Sequence, residues 1–259
     1  MPERAVRMTM VAALALLAAC SGVAVRPDAV RATDLRVATL DAEESARLQQ
    51  HIDRAIADVM QRRYDEAERA ARAALGLDPR AARARAVLGL TTLQQASKSD
   101  PPDHRLGQAA EAELRLAEQL QPDDAFVGWM HAVFLAESGH MSAAAATAER
   151  ALEQAAAAPA NERAALLGIA GTYRYELGEE RAARPHLEAY LGLRPDDAAA
   201  WFRLGSSLLR IAAVPRSTTE SGLLQAQLDA EAAARAFERS VALAPGDDDA
   251  AIAAATALL

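Results

Sequence analysis

The side chains of this sequence that could bind a metal are few and scattered. Five histidines occur, at positions 51, 104, 131, 140 and 186, and none stands three or four residues from another. A helical zinc site uses such pairs, because side chains four residues apart share one face of the helix. Cys20 is the single cysteine of the chain. The pattern therefore predicts no metal site and places the histidines at the surface or between helices.

Motifs for nucleophilic or phosphate chemistry do not occur in the sequence either. It contains no Gly-x-Ser-x-Gly turn and no glycine-rich phosphate loop. Acidic runs occur at 43–44, 179–180 and 247–249, where helices are expected to begin. The helix dipole stabilises negative charge at that end, so capping explains these carboxylates without catalysis. We expect a protein that is not an enzyme, needs no cofactor and takes no small-molecule substrate.

The charge of the chain argues against nucleic-acid binding. The formal net charge is -8, and Lys98 is the single lysine among 28 basic residues. Affinity for nucleic acids comes largely from Lys and Arg contacts to phosphate, and no cluster of such residues is present. We therefore expect protein partners and no nucleic acid.

The first twenty residues carry the most specific signal in the sequence. Arg4 and Arg7 precede an apolar run, residues 8–19, that suits the central region of a signal peptide but is too short to span a bilayer. The run ends Leu17-Ala18-Ala19-Cys20. These four residues resemble the lipobox of bacterial lipoproteins, whose cysteine is acylated and becomes the first residue after cleavage. The resemblance implies a signal peptide over 1–19 and lipidation of Cys20.

The residues after Cys20 indicate which membrane would hold the lipid anchor and how the folded part would be connected to it. Ser21 stands where, in enterobacterial lipoproteins, an Asp favours retention in the inner membrane, so the resemblance favours the outer membrane and a periplasmic orientation. Residues 20–40 contain Gly, Pro and scattered charge without a helical period, which is typical of a tether. A plain secretory signal with an incidental cysteine is the alternative, and the choice between inner and outer membrane stays open.

The elements that follow the tether are predicted to be helices. Hydrophobic residues make up 51% of the chain but aromatic residues only 4%, and the apolar residues are mostly Ala and Leu. Both are strong helix formers, whereas the β-branched residues that favour strands are scarce. The composition therefore indicates an all-α protein with small residues at close helix contacts.

A helical segment with small residues on one face recurs along the chain and closes at a proline. Examples are residues 64–79, 180–195 and 232–245 and the segment that ends at Pro122. Leu-Gly pairs at 88–89 and 204–205 precede two of these segments, with approximate counterparts at 170–171 and 131–132. Gly139 and Gly178 stand at turns that need a positive φ. This pattern resembles the tetratricopeptide repeat, in which two helices form a hairpin.

The resemblance implies an all-α superhelical solenoid of about five such hairpins with a short C-terminal capping helix. The repeats are placed at about 48–81, 82–124, 125–163, 164–197 and 198–247, within an array over 41–259, and the cap at 248–259. The spacing of the closing prolines exceeds one 34-residue period in places, so insertions are required. We expect two of these insertions, 94–107 and 210–225, to project as polar loops of undetermined role.

In tetratricopeptide proteins the first helix of each repeat lines the concave surface. The binding groove predicted from this register is Ile52, Ile56, Leu90, Phe126, Trp129, Val133, Tyr175 and Phe202. Other positions on the same helices are Val59, Ala86, Leu93, Thr172, Glu176, Ser206, Leu209 and Arg210. Most of these residues are apolar, and large apolar surfaces mark binding sites. Packing between adjacent hairpins is the alternative for each of them.

Together these features predict a non-catalytic scaffold that binds a protein or peptide in the groove. The leading hypothesis is an outer-membrane lipoprotein that supports assembly of an envelope complex such as a pilus or secretion machine, since its architecture is similar to repeat lipoproteins of type IV and Flp-type pili. The alternative is an adaptor that tethers a peptidoglycan hydrolase or a protease. The sequence leaves the partner, the pathway and the oligomeric state open.

Overall fold

The structure is a computed structural model that describes residues 30–98, 100–214, 217 and 219–246. The predicted signal peptide, Cys20 and the predicted cap at 248–259 lie outside the described residues. The described part of the chain contains ten α-helices and one short 3-10 helix, and no strand. An all-α repeat fold is thereby confirmed.

The described residues form two compact units, one ending at Ala143 and the other beginning at Ala144. The helices α1 to α5 of the first unit are Ala42–Met60, Tyr64–Leu77, Ala82–Lys98, His104–Leu120 and Ala125–Glu137. The helices α6 to α10, which belong mainly or wholly to the second unit, are Met141–Gln154, Ala160–Glu176, Glu180–Leu193, Ala198–Ala213 and Glu220–Leu243. Most neighbouring helices are joined by turns of only a few residues, as expected of stacked hairpins.

Acidic side chains begin several of these helices, as the sequence predicts for the run at 43–44. Glu179 precedes α8 but makes no side-chain cap hydrogen bond, and the run at 247–249 lies outside the described residues. Asp41 accepts a hydrogen bond from the Glu44 backbone N–H at 2.8 Å, and the Glu44 carboxylate accepts one from the Asp41 N–H at 3.1 Å. Asp103, Asp124 and Asp197 cap α4, α5 and α9 in the same manner. Each cap satisfies backbone donors that a helix start leaves unpaired, which explains these carboxylates without catalysis.

In the first unit, each hairpin packs along its length and then against the next. Helix α1 pairs with α2 and α3 with α4, while α3 also contacts α1, α2 and α5. The close approach of α3 to α4 occurs at Gly89, where a Cβ atom would lie 2.7 Å from Cγ of Leu114. Leu114, Val87, Val127 and Phe126 are fully buried at the centre of this unit. The glycine of the Leu-Gly pair is therefore required by the packing of the hairpin.

The second unit repeats this arrangement with its own core. Helix α7 pairs with α8 and α9 with α10, and α9 also contacts α7 and α8. Cβ atoms at Gly171 and Gly205 would lie 3.0 Å from Leu187 and 2.8 Å from the ring of Phe237. Three equivalent glycines thus each face a large buried residue of the paired helix, which confirms the packing role expected of this position.

The turns within three of the hairpins use the left-handed backbone region. Gly139 and Gly178 have φ values of +80° and +72°, which confirms the prediction for both. Arg62 takes the corresponding place between α1 and α2 with φ of +59°. An L residue with a Cβ atom is disfavoured in this conformation, so this turn is strained relative to its two counterparts.

The two insertions do not form the long polar loops that the sequence suggested. Residues 94–98 continue α3 and residues 104–107 begin α4, while residues 220–225 form the first turns of α10. Asp103 and Thr219 cap the new helix starts, and helix-forming residues extend each arm of the hairpin. Most of the inserted length therefore lengthens helices, and only short connections remain.

The last part of the predicted tether is packed against the folded chain. Residues Ala32–Asp34 form the 3-10 helix, which contacts α4, and the Arg80 guanidinium donates a 2.9 Å hydrogen bond to the Ala32 carbonyl. Between this helix and α1, Leu35, Ala38 and Leu40 are half-buried. The expectation of a free tether as far as residue 40 is therefore corrected for the described part. No helix in the described ranges is both long enough and apolar enough to cross a membrane.

Candidate protein-binding surface

Helices α1, α3 and α5 of the first unit carry equivalent residues at equivalent places. Ala55, Gly89 and Ala132 occupy the close-packing position, and the residue after each is Ile56, Leu90 and Val133 respectively. Three residues before the close-packing position stand Ile52, Ala86 and Trp129. Helix α3 contacts both α1 and α5, and Ile52, Ile56, Trp129 and Val133 all pack against the core of this unit. We call the surface formed by Ile52, Ile56, Trp129 and Val133 the first-unit face.

The four residues of the first-unit face are half-buried, with part of each side chain packed on the core. Met60, at the end of α1, exposes 52% of its surface and extends the apolar character of this helix. Two residues predicted for the groove belong elsewhere, since Leu90 is only 6% exposed and Phe126 only 1%. Their side chains fill the core between successive hairpins, which corrects the expectation that they are accessible.

Trp129 is held in place by the buried ring beside it. The two ring centroids of Trp129 and Phe126 lie 5.9 Å apart at an interplanar angle of 86°, an edge-to-face contact. The Arg83 guanidinium lies 5.4 Å from the centroid of the Phe126 ring and pairs with Asp124 at 2.7 Å. Trp129 therefore sits on a preorganised support, so that a partner would not have to order it on binding.

A polar pair lies at the ends of α3 and α5. The Gln94 side-chain amide donates a 2.6 Å hydrogen bond to the carboxylate of Glu137. Burial raises the pKa of Glu137, although the Gln94 hydrogen bond and the positive charge of Arg62 act in the opposite direction. The surface is therefore polar at the C-terminal ends of α3 and α5, beyond the apolar first-unit face.

In the second unit, the predicted groove residues are engaged by their own neighbours. The Arg210 guanidinium lies 5.2 Å from the centroid of the Tyr175 ring and pairs with Glu180 at 3.0 Å. Phe202 packs against Phe237 with ring centroids 5.6 Å apart. Tyr175 and Phe202 remain half-buried, so each presents only part of its ring to solvent.

The remaining residues at the equivalent places of the second unit are polar. Thr172 and Ser206 replace the isoleucine and valine of the first unit, and Arg203 lies 3.9 Å from Glu176. The apolar stripe predicted over five repeats is therefore confined to the first unit in the described residues. Tyr175 and Phe202 stand in a mixed polar surface.

Comparison of the fold with solved structures identifies the repeat. PilF of Pseudomonas aeruginosa superposes with a TM-score of 0.54 at 18% identity, covering 83% of this chain and 90% of PilF. YrrB, a tetratricopeptide protein described as having an unusual peptide-binding site, gives 0.50 at 16% identity over 78% of this chain and 89% of YrrB. A point mutant of the MamA protein gives 0.51 at 16% identity over 77% of this chain and 99% of that mutant.

The fold is that of the tetratricopeptide repeat. No protein-family model matches the sequence, and no curated protein matches it. The resemblance seen in the recurring helical segments and Leu-Gly pairs is thus confirmed at the level of fold.

One polar cluster of the tetratricopeptide hairpins was missed by sequence reasoning. Arg174 of α7 binds both carboxylate oxygens of Glu149 at 2.8 and 2.6 Å and also reaches Glu179 at 2.6 Å. His186 Nε2 lies 3.1 Å from the same Glu149 carboxylate. The hydrogen bond from Arg174 lowers the pKa of Glu149 despite its partial burial. An isolated Arg or Glu in an amphipathic helix does not indicate, from sequence alone, that its side chain will form an ion pair with a residue of another repeat.

Two histidines, His131 and His186, and the hydroxyl of Tyr190 make polar contacts between helices or at a helix start. His131, which is buried, lies 2.9 Å from the Glu118 carboxylate. The Tyr190 hydroxyl donates a 2.8 Å hydrogen bond to Asp197, and burial together with this carboxylate raises the pKa of Tyr190 to about 12. Within the described residues, no three His, Cys, Asp or Glu side chains are grouped so that they could hold a metal ion.

Proposed function

We propose that this protein is a lipid-anchored, non-catalytic scaffold that binds a protein partner and supports assembly of a complex in the bacterial cell envelope, such as a pilus or secretion machine. The tetratricopeptide fold supports the binding role, because its stacked hairpins present an extended surface built from equivalent positions. The likeness to PilF and to YrrB, a protein with a peptide-binding site, agrees with this proposal.

The observation that carries the proposal is the first-unit face. Val133 stands one helical turn after Trp129 on α5, and Ile52 and Ile56 occupy the equivalent positions of α1, so these four positions carry no charge. Aromatic anchors in apolar surroundings dominate the energy of many interfaces, and Trp is enriched among them. The surface suits the apolar side of an amphipathic helix or an extended apolar segment of a partner.

The membrane anchor rests on the lipobox resemblance at Leu17-Ala18-Ala19-Cys20. Acylation of Cys20 would place the tetratricopeptide array on the surface of a membrane, and Ser21 favours the outer membrane and the periplasmic side. Several acyl chains together anchor a protein stably, whereas one chain holds it only marginally. A scaffold fixed in this way would keep its partner close to the membrane.

The test of the binding role is a quantitative comparison of Trp129→Ala with the wild type. Partners are first recovered from native envelope with wild-type protein, and the partner obtained is then titrated. Burial of a large aromatic side chain contributes roughly 1.5–3 kcal/mol, so loss of Trp129 should weaken binding by about tenfold or more. Leu193→Ala is the matched control, because Leu193 is 40% exposed on α8 in the second unit.

Two readouts make this test decisive. The helical content of Trp129→Ala must stay near that of the wild type, and moderate salt should change the affinity little, since apolar contact is the attraction proposed. Dissociation in salt combined with indifference to the Trp129 change would reject the first-unit face. A partner that belongs to a pilus or secretion machine supports the assembly role, while a cell-wall hydrolase or a protease supports an adaptor instead.

A further inference from the structure

The N-terminal segment 30–41 meets the folded chain at α4 before it reaches α1. Its 3-10 helix is closed by Asp34, whose carboxylate accepts a 3.1 Å hydrogen bond from the Arg31 backbone N–H. The same helix contacts α4, and Arg80 fixes the Ala32 carbonyl at 2.9 Å. The chain that arrives from the N-terminus is thus attached to the second hairpin of the first unit.

The distance from Cys20 to this attachment is limited by chain length alone. Eleven residues lie between Cys20 and Ala32, so twelve residue steps join them. A fully extended chain advances at most about 3.6 Å per residue, which gives a span of about 40 Å for any conformation of these residues. This limit is similar to the diameter of a small domain. An anchor at Cys20 would therefore keep the region around Ala32 within about 40 Å of the membrane.

The charge on the outer surface of α4 differs from that of the chain as a whole. This helix has three carboxylates, and all three are half-buried and paired: Glu111 with Arg115 at 2.5 Å, Glu113 with Arg85 at 2.6 Å and Glu118 with His131 at 2.9 Å. Its exposed residues are His104, Arg105, Gln108, Ala109, Ala112, Arg115 and Gln119. The exposed surface of α4 is therefore neutral or basic in a chain of net charge -8.

The second helices of the other four hairpins expose carboxylates. The exposed acids are Asp65 on α2, Glu153 on α6, Glu188 on α8, and Glu220, Glu231 and Glu238 on α10. Anionic phospholipids attract Lys and Arg within a Debye length of about 8 Å and repel carboxylates. The same four helices also expose arginines, namely Arg69, Arg72, Arg150, Arg181, Arg235 and Arg239. Among the second helices as described, α4 exposes arginines without an exposed carboxylate, which suits it best to lie against such lipids.

The docked segment beside α4 adds no net negative charge to this surface. Its exposed cations Arg31 and Arg36 balance its exposed acids Asp34 and Asp41, and Asp41 lies at its far end, where it caps α1. Asp100 is exposed in the connection before α4. Arg105 and Arg115 are therefore the exposed cations of α4, and the charge of Arg115 is shared with Glu111.

We infer that the outer surface of α4, together with the docked segment 30–41, is the membrane-facing surface of the first unit and rests on anionic phospholipid headgroups. This inference depends on the proposed lipid anchor at Cys20. The first-unit face belongs to the first helices α1 and α5, whereas α4 is a second helix. The protein would therefore rest on the membrane through one set of helices and bind its partner through the other.

The test uses full-length lipidated protein in vesicles of phosphatidylcholine and phosphatidylglycerol. Acylation blocks the thiol of Cys20, so Ala112→Cys on α4 or Ala57→Cys on α1 supplies the one thiol for a fluorophore. Both alanines are exposed helical residues, which makes the two variants a matched pair. With a quencher attached to the lipid headgroups, the label at 112 should be quenched at least about twofold more than the label at 57.

Two further variants test the two observations separately. Arg80→Ala removes the hydrogen bond to Ala32 and should reduce the difference between the labels. The double variant Arg105→Gln, Arg115→Gln should also reduce the difference in quenching between the two labels. The control double variant Arg69→Gln, Arg72→Gln on α2 should leave this difference unchanged.

Equal or reversed quenching at 112 and 57 in vesicle-bound protein overturns the inference and leaves the anchor intact. If the wild type fails to sediment with vesicles and Cys20 reacts with the fluorophore, the anchor fails and this inference fails with it.

Discussion

At the scale of the residue, Arg62 occupies a turn position at which two equivalent turns carry glycine. Its φ of +59° compares with +80° at Gly139 and +72° at Gly178. A Cβ atom in this region costs about 1 kcal/mol, and glycine avoids that cost. We expect Arg62→Gly to raise the free energy of unfolding by about 1 kcal/mol, measured by urea denaturation.

Gly178→Ala provides the opposite change at the equivalent turn and should lower the free energy of unfolding by a similar amount. An Arg62→Gly protein that is no more stable than the wild type would show that the turn between α1 and α2 carries no strain.

Glu149 is the second residue whose side chain we expect to contribute measurably to the free energy of unfolding. Arg174 binds both of its oxygens and lowers its pKa below the ordinary value of 4.5. A carboxylate whose pKa is lower in the folded state stabilises the protein above its ordinary pKa, and this stabilisation disappears as the pH falls through the folded value. Glu149→Gln should therefore cost about 1–2 kcal/mol at pH 7, since the pair is partly exposed.

The measurement is the free energy of unfolding of wild type and Glu149→Gln between pH 7 and pH 3. The difference between the two proteins should shrink below about pH 4. Glu153→Gln on the same helix is the control, because Glu153 is exposed. A difference that stays constant down to pH 3 would count against the ion pair as its origin.

Residue identity predicted some contacts of this protein and missed others for a physical reason. The helix start at Glu43 and Glu44 and the positive φ at Gly178 are local, because they depend on residues within a few positions. The burial of Phe126 depends on how α5 meets α3, and its apolar character fits a groove and a core equally well. Sequence pattern alone could not separate Phe126 from Trp129, three residues away.

At the scale of the element, the close contact between α3 and α4 depends on the missing side chain at Gly89. A Cβ atom there would lie 2.7 Å from Cγ of Leu114 and 2.9 Å from the backbone carbonyl oxygen of Ala110. A backbone oxygen cannot move unless α4 moves, so overpacking should outweigh the higher helix propensity of alanine. We expect Gly89→Ala to destabilise the protein by about 1–3 kcal/mol.

Gly76→Ala is the matched control for this change. Gly76 lies in α2, and no heavy atom would come within 4 Å of a Cβ atom added there. Its replacement should stabilise the protein by up to about 1 kcal/mol through helix propensity alone. If Gly89→Ala and Gly76→Ala shift the thermal midpoint in the same direction, the hairpins do not depend on this close approach.

The insertions show where repeat register stops predicting structure. The spacing of Pro79 and Pro122 located the additional residues correctly between two helices, yet their polar composition suggested loops. Intrinsic helix propensity and the cap at Asp103 favour continued helix on both sides of a short connection. Composition therefore overestimated loop length, because a helix with one packed face tolerates polar residues on its other face.

At the scale of the whole molecule, the two units offer different surfaces to a partner. The first-unit face is apolar around Trp129, whereas the equivalent positions of the second unit are polar, with Arg210 covering part of Tyr175. A ligand that binds mainly through apolar contacts would thus engage the first unit. Thr172 and Ser206 in the second unit would supply hydrogen bonds rather than apolar area.

At this scale, the proposed acyl anchor at Cys20 would govern where such binding takes place. The lipobox resemblance makes Cys20 the acylated residue, and a serine at this position cannot form the thioether on which acylation and cleavage depend. Cys20→Ser should therefore move the protein from the membrane fraction to the soluble or unprocessed fraction. Metabolic labelling with palmitate should mark the wild type and leave Cys20→Ser unlabelled.

The distribution of wild type and Cys20→Ser between the membrane and soluble fractions distinguishes an acyl anchor from attachment through a partner. A wild type that takes up palmitate but is released by high salt would indicate that acylation alone does not hold it, since charge contacts are screened whereas buried acyl chains are not. A wild type without palmitate would reject the lipoprotein assignment altogether. Trp129→Ala, by contrast, should stay in the membrane fraction while losing its partner, because the anchor and the first-unit face are separate parts of the chain.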